Sequence, residues 1–127
     1  MWWKSRPKRN PKPLWIRGED AAARFLQRAG YRILERNVRL GRNEIDIIAQ
    51  DGDTTVFVEV RTRATLDDVP PEDTIGPVKQ AHLRQAARHY LLQHGREHYY
   101  RFDVVAILLP DGEEPTITHF PDAFPGV

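Results

Sequence analysis

The sequence predicts an α/β domain, a mixed sheet flanked by helices in the order α-β-β-β-α-β. Two segments carry apolar residues at helical spacing, four alternate or run apolar as strands do, and turn residues fall between them. A chain of 127 residues, 40% hydrophobic and 29% charged, is enough for one core and too short for two.

The first helix is expected over 18–29, where Ala22, Phe25, Leu26 and Ala29 form an apolar stripe closed by Gly30. Residues 31–38 (YRILERNV) alternate as a strand. Residues 43–50 (NEIDIIAQ) form a second strand, with Ile45, Ile47 and Ala49 on one face. Asp51-Gly52 then suggests a type I′ hairpin loop into a third strand over 54–63, with Val56, Val58 and Val60 on one face. Residues 64–76 hold four acids, two prolines and no base, the composition of a loop. A long helix is expected over 77–94, with Leu83, Ala86, Ala87, Tyr90 and Leu91 inward and Gly95 at its end. A buried strand over 101–109 and a short edge strand over 115–120 complete the order, the last being an optional addition to the core.

The net charge of +1 hides an asymmetry. Lys4, Arg6, Lys8, Arg9, Lys12 and Arg17 stand in the first 17 residues without an acid, and the remainder is net acidic. Residues 1–16 therefore read as a basic, extended arm on a domain spanning 17–127. Such an arm either meets a polyanion, DNA or RNA, or only solubilises the chain. Trp2, Trp3 and Trp15 among these cations could stack on bases. Pro7, Pro11 and Pro13 argue against a membrane-surface helix. No apolar run is long enough to span a bilayer, no secretory signal is legible, and there is no cysteine. Thiolate chemistry and cysteine-ligated zinc are thereby excluded, and a cytoplasmic location without a membrane partner is expected.

The chemistry concentrates on the hairpin. With Asp51-Gly52 as the loop, Gln50 faces Asp53, Asp46 faces Phe57 and Glu44 faces Glu59. Asp46 and Glu59 are then diagonal neighbours on one face, roughly 7–8 Å apart. Three carboxylates on one patch repel one another, and a divalent cation would relieve the conflict. A solvated polar face of a half-exposed hairpin would show the same pattern. Glu19 adds to the case, because it shares the apolar stripe of the first helix and so faces the sheet; helix-dipole stabilisation alone would not require that alignment.

The blocks GEDAAARFLQRAGY, NEIDIIA, VFVEVRTR, KQAHLRQAARHYL and RFDVVAI resemble the YraN-type family of bacterial proteins over residues 17–109. That family is similar to the PD-(D/E)XK, restriction-endonuclease-like nucleases, and archaeal Holliday-junction resolvases place their acids in a similar way. The resemblance implies a restriction-endonuclease-like α-β-β-β-α-β core. It also implies Mg²⁺ or Mn²⁺ held by Asp46 and Glu59, Glu19 as the helix-1 glutamate, and hydrolysis of DNA phosphodiester bonds, including branched or single-stranded DNA. By analogy with resolvases it implies a homodimer.

Two positions depart from the pattern. Asn43 stands where a glycine is usual, and Arg61 replaces the lysine of the (D/E)-x-K motif. Arginine can grip a phosphate but cannot take a proton. Lys79, four residues before Leu83, is a candidate substitute, although an ordinary solvated lysine is the commoner occupant of such a position; for Gln80 beside it the resemblance implies a polar supporting role. His82, His89, His94, His98 and His119 read as surface residues, and Asp103 as the partner of Arg32 or Arg36. Two further readings stay open: a nucleic-acid-binding module with little catalysis, and an interaction partner in DNA repair or uptake.

Overall fold

The computed structural model describes residues 12–65, 75–95 and 99–126. The order is α1 (Leu14–Arg28), β1 (Arg32–Leu40), β2 (Asn43–Asp51), β3 (Thr54–Arg63), α2 (Pro77–His94), β4 (Tyr100–Leu108) and β5 (Thr116–Phe124). The strands form one mixed sheet in the order β1-β2-β3-β4-β5. Only β3 and β4 are parallel, joined through α2, as parallel neighbours require a crossover. This is the expected α/β class with a restriction-endonuclease-like core, extended by a full fifth strand.

One helix packs on each face. Leu83, Ala86, Ala87, Tyr90 and Leu91 of α2 meet Ile48, Phe57, Phe102 and Val104. Ala22 and Leu26 of α1 meet Ile47, Ala49, Val56, Val58 and Val105 on the other face. Central strand β3 is thus apolar on both sides, as a sheet covered on both faces requires.

Helix α1 begins at Leu14, so three residues expected in the arm belong to it. Pro13 takes the cap position, and its carbonyl accepts from the Ile16 and Arg17 N–H groups at 3.1 Å each. Lys4, Arg6, Lys8 and Arg9 lie outside the described residues. Gly18 falls inside the helix, not at its start, and the sheet explains it: a Cβ there would lie 1.9 Å from Thr62 Oγ1.

The hairpin loop is Gly52-Asp53, one residue later than expected, because Asp51 pairs with Thr54 and Ile48 with Phe57. A type I′ loop over Asp51-Gly52 would need left-handed φ at both positions. Here Gly52 alone has it, at 61°, matching a II′ loop with glycine first. Glu44 is consequently not opposite Glu59; it pairs with Arg39 of β1. Ile45 also departs from its expected face and joins the α2-side core, whereas Ile47 stays with α1.

Strand β2 pairs with β3 only as far as Ile47↔Val58. The outer ladders run on, to Leu40↔Asn43 on one side and Arg63↔Leu108 on the other. The sheet therefore splits between β2 and β3 at this end. Among the described residues, no helix is long and apolar enough to cross a membrane.

Replacing Gly18 by alanine should destabilise the fold by about 1–3 kcal/mol in urea unfolding, the usual cost of overpacking. Helix propensity alone predicts a gain of about 1 kcal/mol. A stabilised Gly18→Ala variant would refute the close approach of α1 to β3.

Candidate functional site

At the split the β3 backbone has lost its neighbour, and a side chain takes its place: Val60 N–H donates to Asp46 Oδ2 at 2.8 Å. This bond draws the Asp46 carboxylate into the gap, where it hydrogen-bonds the Glu59 carboxyl. Asp46 and Glu59 are closer partners than the expected diagonal pair. Continued one step past Ile47↔Val58, the observed register sets them directly opposite.

Helices from both faces reach this gap. From α1 comes Glu19, 6% exposed, with Trp15 one turn earlier on the same helix face. From α2 comes Lys79, whose Nζ lies 3.7 Å from Glu59 Oε2. Arg61, two residues along β3, places Nη2 3.6 Å from the same oxygen. These residues line one cleft of about 570 Å³ together with Asn37, Glu44 and Arg63.

Burial, reinforced by Asp46, pushes the Glu59 carboxyl up to about 7, against the pull of Lys79 and Arg61. Asp46 is raised as well, chiefly by burial, although its bond from Val60 N–H opposes this. Glu19 is raised by burial and by Asp46, against a hydrogen bond from Asn37. A half-buried and a buried carboxyl in contact come to share a proton as the pH falls through about 7 in the absence of a cation. Among the described residues, Glu19 Oε1 is buried and has no hydrogen-bond partner.

Asp46, Glu59, Glu19, Arg61 and Lys79 are thus brought together. Lys79 is the notable member, since solvated-surface was the commoner reading of its position. Gln80 stands behind the cleft, where its Nε2 donates to the Ile75 carbonyl at 2.9 Å and holds the start of α2. Arg17 is exposed on α1 outside the cleft, and Lys12 pairs with Asp20 at 3.1 Å.

Asn37 and Trp15 escaped sequence reasoning as cleft residues. Asn37 adopts φ 53° inside a strand, a left-handed conformation that asparagine tolerates and most residues avoid. Trp15 had a legible signal, its i, i+4 spacing to Glu19, obscured by the assignment of residues 1–16 to an arm.

Asp103 pairs neither with Arg32 nor with Arg36, which lie three strands away on β1. It is fully buried and accepts from Arg101 Nε at 3.0 Å, from Asp122 N–H at 3.0 Å and contacts His119 Nε2 at 2.7 Å. Burial alone would raise its carboxyl, but these partners hold it below the ordinary carboxylate range. His119 is correspondingly half-buried, and Arg36 pairs with Asp20 at 2.8 Å.

A profile of the family described as "Uncharacterised protein family UPF0102" matches residues 18–107. The chain belongs to this family. A UPF0102 protein of Anaeromyxobacter dehalogenans is 47% identical over 110 residues, covering 86% of this chain and 81% of its own. One of Chlorobium phaeobacteroides is 45% identical over 121 residues, covering 91% and 95%. One of Geobacter sulfurreducens is 44% identical over 114 residues, covering 89% of each. These are the YraN-type proteins that the sequence motifs resemble. Among solved structures, Pyrococcus furiosus SfsA in complex with Ca²⁺ shows a distant likeness, with TM-score 0.40 and 15% identity. It covers 84% of this chain, and this chain spans 63% of that one.

The raised Glu59 carboxyl sets a pH dependence. The metal-free fold binds an extra proton between the ordinary value of 4.5 and about 7. This contribution to stability is full below the lower value and is lost as pH rises towards the upper one. Its slope is at most about 1.4 kcal/mol per pH unit. Urea unfolding in EDTA should show a decline from pH 5 to 7.5 that Glu59→Gln flattens. Parallel pH profiles for the two proteins would contradict the shared-proton pair.

Proposed function

We propose that this UPF0102 protein is a metal-dependent endonuclease that hydrolyses DNA phosphodiester bonds, with Mg²⁺ or Mn²⁺ held by Asp46 and Glu59. The observation that carries this reading is the Asp46–Glu59 pair, a half-buried and a buried carboxyl in contact within a cleft that also presents Lys79 and Arg61. The donor set suits a hard divalent cation, for which carboxylate oxygens are the natural ligands. Among the described residues, no group of three or more acidic or histidine side chains gathers as a ready-made cation site. Two carboxylates still suffice for Mg²⁺, which commonly takes one or two from the protein and fills its remaining positions with water and substrate phosphate.

When bound, such a cation polarises the phosphodiester and lowers the pKa of a water. The chain's own residues supply the rest. Arg61 can grip a phosphate oxygen through its fork and offset developing charge. Lys79 brings to the cleft the ammonium that the motif position lacks, on a helix instead of a strand. Glu19, whose buried Oε1 makes no hydrogen bond among the described residues and lies 4.0 Å from Arg36 Nη2, can accept a proton or orient a water beside Asp46. Lys4, Arg6, Lys8 and Arg9, with Lys12 and Arg17, would add non-specific phosphate contacts. A cytoplasmic setting fits this substrate.

Arg61 favours one alternative, a nucleic-acid-binding module of the same fold that cleaves poorly. Single-turnover cleavage of linear, flapped and four-way DNA with Mg²⁺ or Mn²⁺ separates the two. Wild type should cleave, and Asp46→Ala and Glu59→Ala should abolish both cleavage and calorimetric Mn²⁺ binding. If Lys79 has taken over the motif lysine, Lys79→Ala should cost about 10²-fold or more, and Arg61→Lys should be neutral. If Arg61 still limits proton transfer, Arg61→Lys should instead accelerate cleavage by about 10-fold or more. Intact Mn²⁺ binding with no cleavage of any DNA would leave the binding module. Absence of Mn²⁺ binding would remove both the cation and the nuclease reading.

The arm has its own measurement. Deleting residues 1–11 removes four cations and leaves α1 whole. The log–log salt slope for duplex DNA should flatten by up to about three or four units if they all meet phosphates. An unchanged slope would assign the arm to solubility.

A further inference from the structure

Helix α2 has no aspartate or glutamate in 18 residues, in a chain that carries 18 acids among 127. Its basic and histidine residues do not all serve the cleft. Between α2 and the β1–β2 turn runs a groove of about 970 Å³, lined from the helix by His82, Gln85, Arg88, His89 and Leu92. Its other wall is the turn itself, Leu40 to Asn43, with Arg42 exposed at the tip. The two walls are tied by Asn43 Nδ2 donating to Gln85 Oε1 at 3.3 Å. No acidic residue lines the groove. Among the described residues, neither Arg42 nor Arg88 has an acidic partner.

The groove adjoins the cleft on both walls. Asn43 lines the groove and Glu44 the cleft; His82 lines the groove and Lys79, one helical turn before it, the cleft. From Lys79 to Arg88 the helix advances about 14 Å, at 1.5 Å per residue. Duplex DNA rises about 3.4 Å per base pair along its axis, so this distance matches an axial advance of about four base pairs.

We propose that the groove is a second nucleic-acid-binding surface, which carries the phosphate backbone of the DNA leading away from the cleft. Arg42 and Arg88 are its principal phosphate contacts, from opposite walls. The proposal rests on the nuclease-type reading of the cleft for its direction, but its charges act without metal or catalysis. Gln85 and Asn43, already bonded to each other, act as a polar floor and do not read bases. The contact is therefore electrostatic and independent of sequence.

The test is the salt dependence of binding to a short fluorescein-labelled duplex by the full chain in EDTA, where nothing is cut. The double variant Arg42→Ala/Arg88→Ala should flatten the log–log slope by about two units, near 0.9 for each lost phosphate contact. Arg42→Lys/Arg88→Lys should restore it, which separates lost contacts from lost folding. Arg24→Ala/Arg28→Ala removes the same charge from exposed positions on α1 and should change the slope far less. Equal flattening by both alanine pairs would reduce the effect to net charge and overturn the proposal, as would an unchanged slope in Arg42→Ala/Arg88→Ala. Poly-L-glutamate bound as tightly as DNA, and lost in the same variant, would overturn it in favour of an acidic protein partner. The salt slope in Asp46→Ala keeps the two readings apart: a wild-type slope with cleavage abolished supports the groove whatever becomes of the nuclease reading.

Discussion

The arrangement of this molecule depends on where the hydrogen-bond ladder between β2 and β3 stops. Beyond Ile47↔Val58 the two strands part while their outer pairings continue. A strand N–H left without a neighbouring carbonyl must find another acceptor or face solvation. Val60 N–H finds the Asp46 carboxylate. That one bond closes the end of the ladder, draws an acid into the sheet, and brings it against Glu59. The gap is open to both faces, so α1 and α2, which never share a core cluster, deliver Glu19 and Lys79 to the same cleft.

Charge in the cleft is held in tension. Three acids with raised pKa values face cations held at a distance: Arg61 and Lys79 lie 3.6 and 3.7 Å from Glu59, and Arg36 4.0 Å from Glu19, each longer than a good hydrogen bond. Replacing the acids with apolar residues would serve stability better, because buried like charges in contact cost more than they return. Local electrostatic conflict of this kind is characteristic of sites shaped by chemistry, although structural ion networks also perturb pKa values. Asp103 shows the contrast one strand away, on β4 beside Val58. It is as buried as any residue in the chain, yet every bond it makes favours its charge.

Most of the fold was legible because its signals were local. The stripe of α2 and its closing glycine lie where the spacing put them, and β3 begins and ends at the expected residues. The site's acids were legible for a subtler reason. The hairpin register expected from Asp51-Gly52 was displaced by two positions, and a displacement by two preserves which side chains share a face. Asp46 and Glu59 therefore stayed on one side although their separation was misjudged. What was missed required tertiary information. The start of α1 depends on how Leu14 packs against the core beneath the helix, and Gly18 on the nearness of Thr62. The role of Lys79 depends on a helix packing whose depth no spacing rule gives, and the partners of Asp103 on which strands become neighbours.

The outer strands share a peculiarity with consequences for self-association. β1 carries a register shift between Ile33 and Glu35 and a left-handed Asn37. β5 carries Pro121 and a left-handed Asp122, next to a shift opposite Phe102–Val104. An unbroken edge offers a row of free donors and acceptors on which another sheet can grow; a bulge, a proline or a kink interrupts that row. Both borders of this sheet are blunted in this way. Copies of the chain are thus poorly suited to join strand to strand into a continuous sheet or a fibre, and an ordered assembly would have to be built from helices or turns.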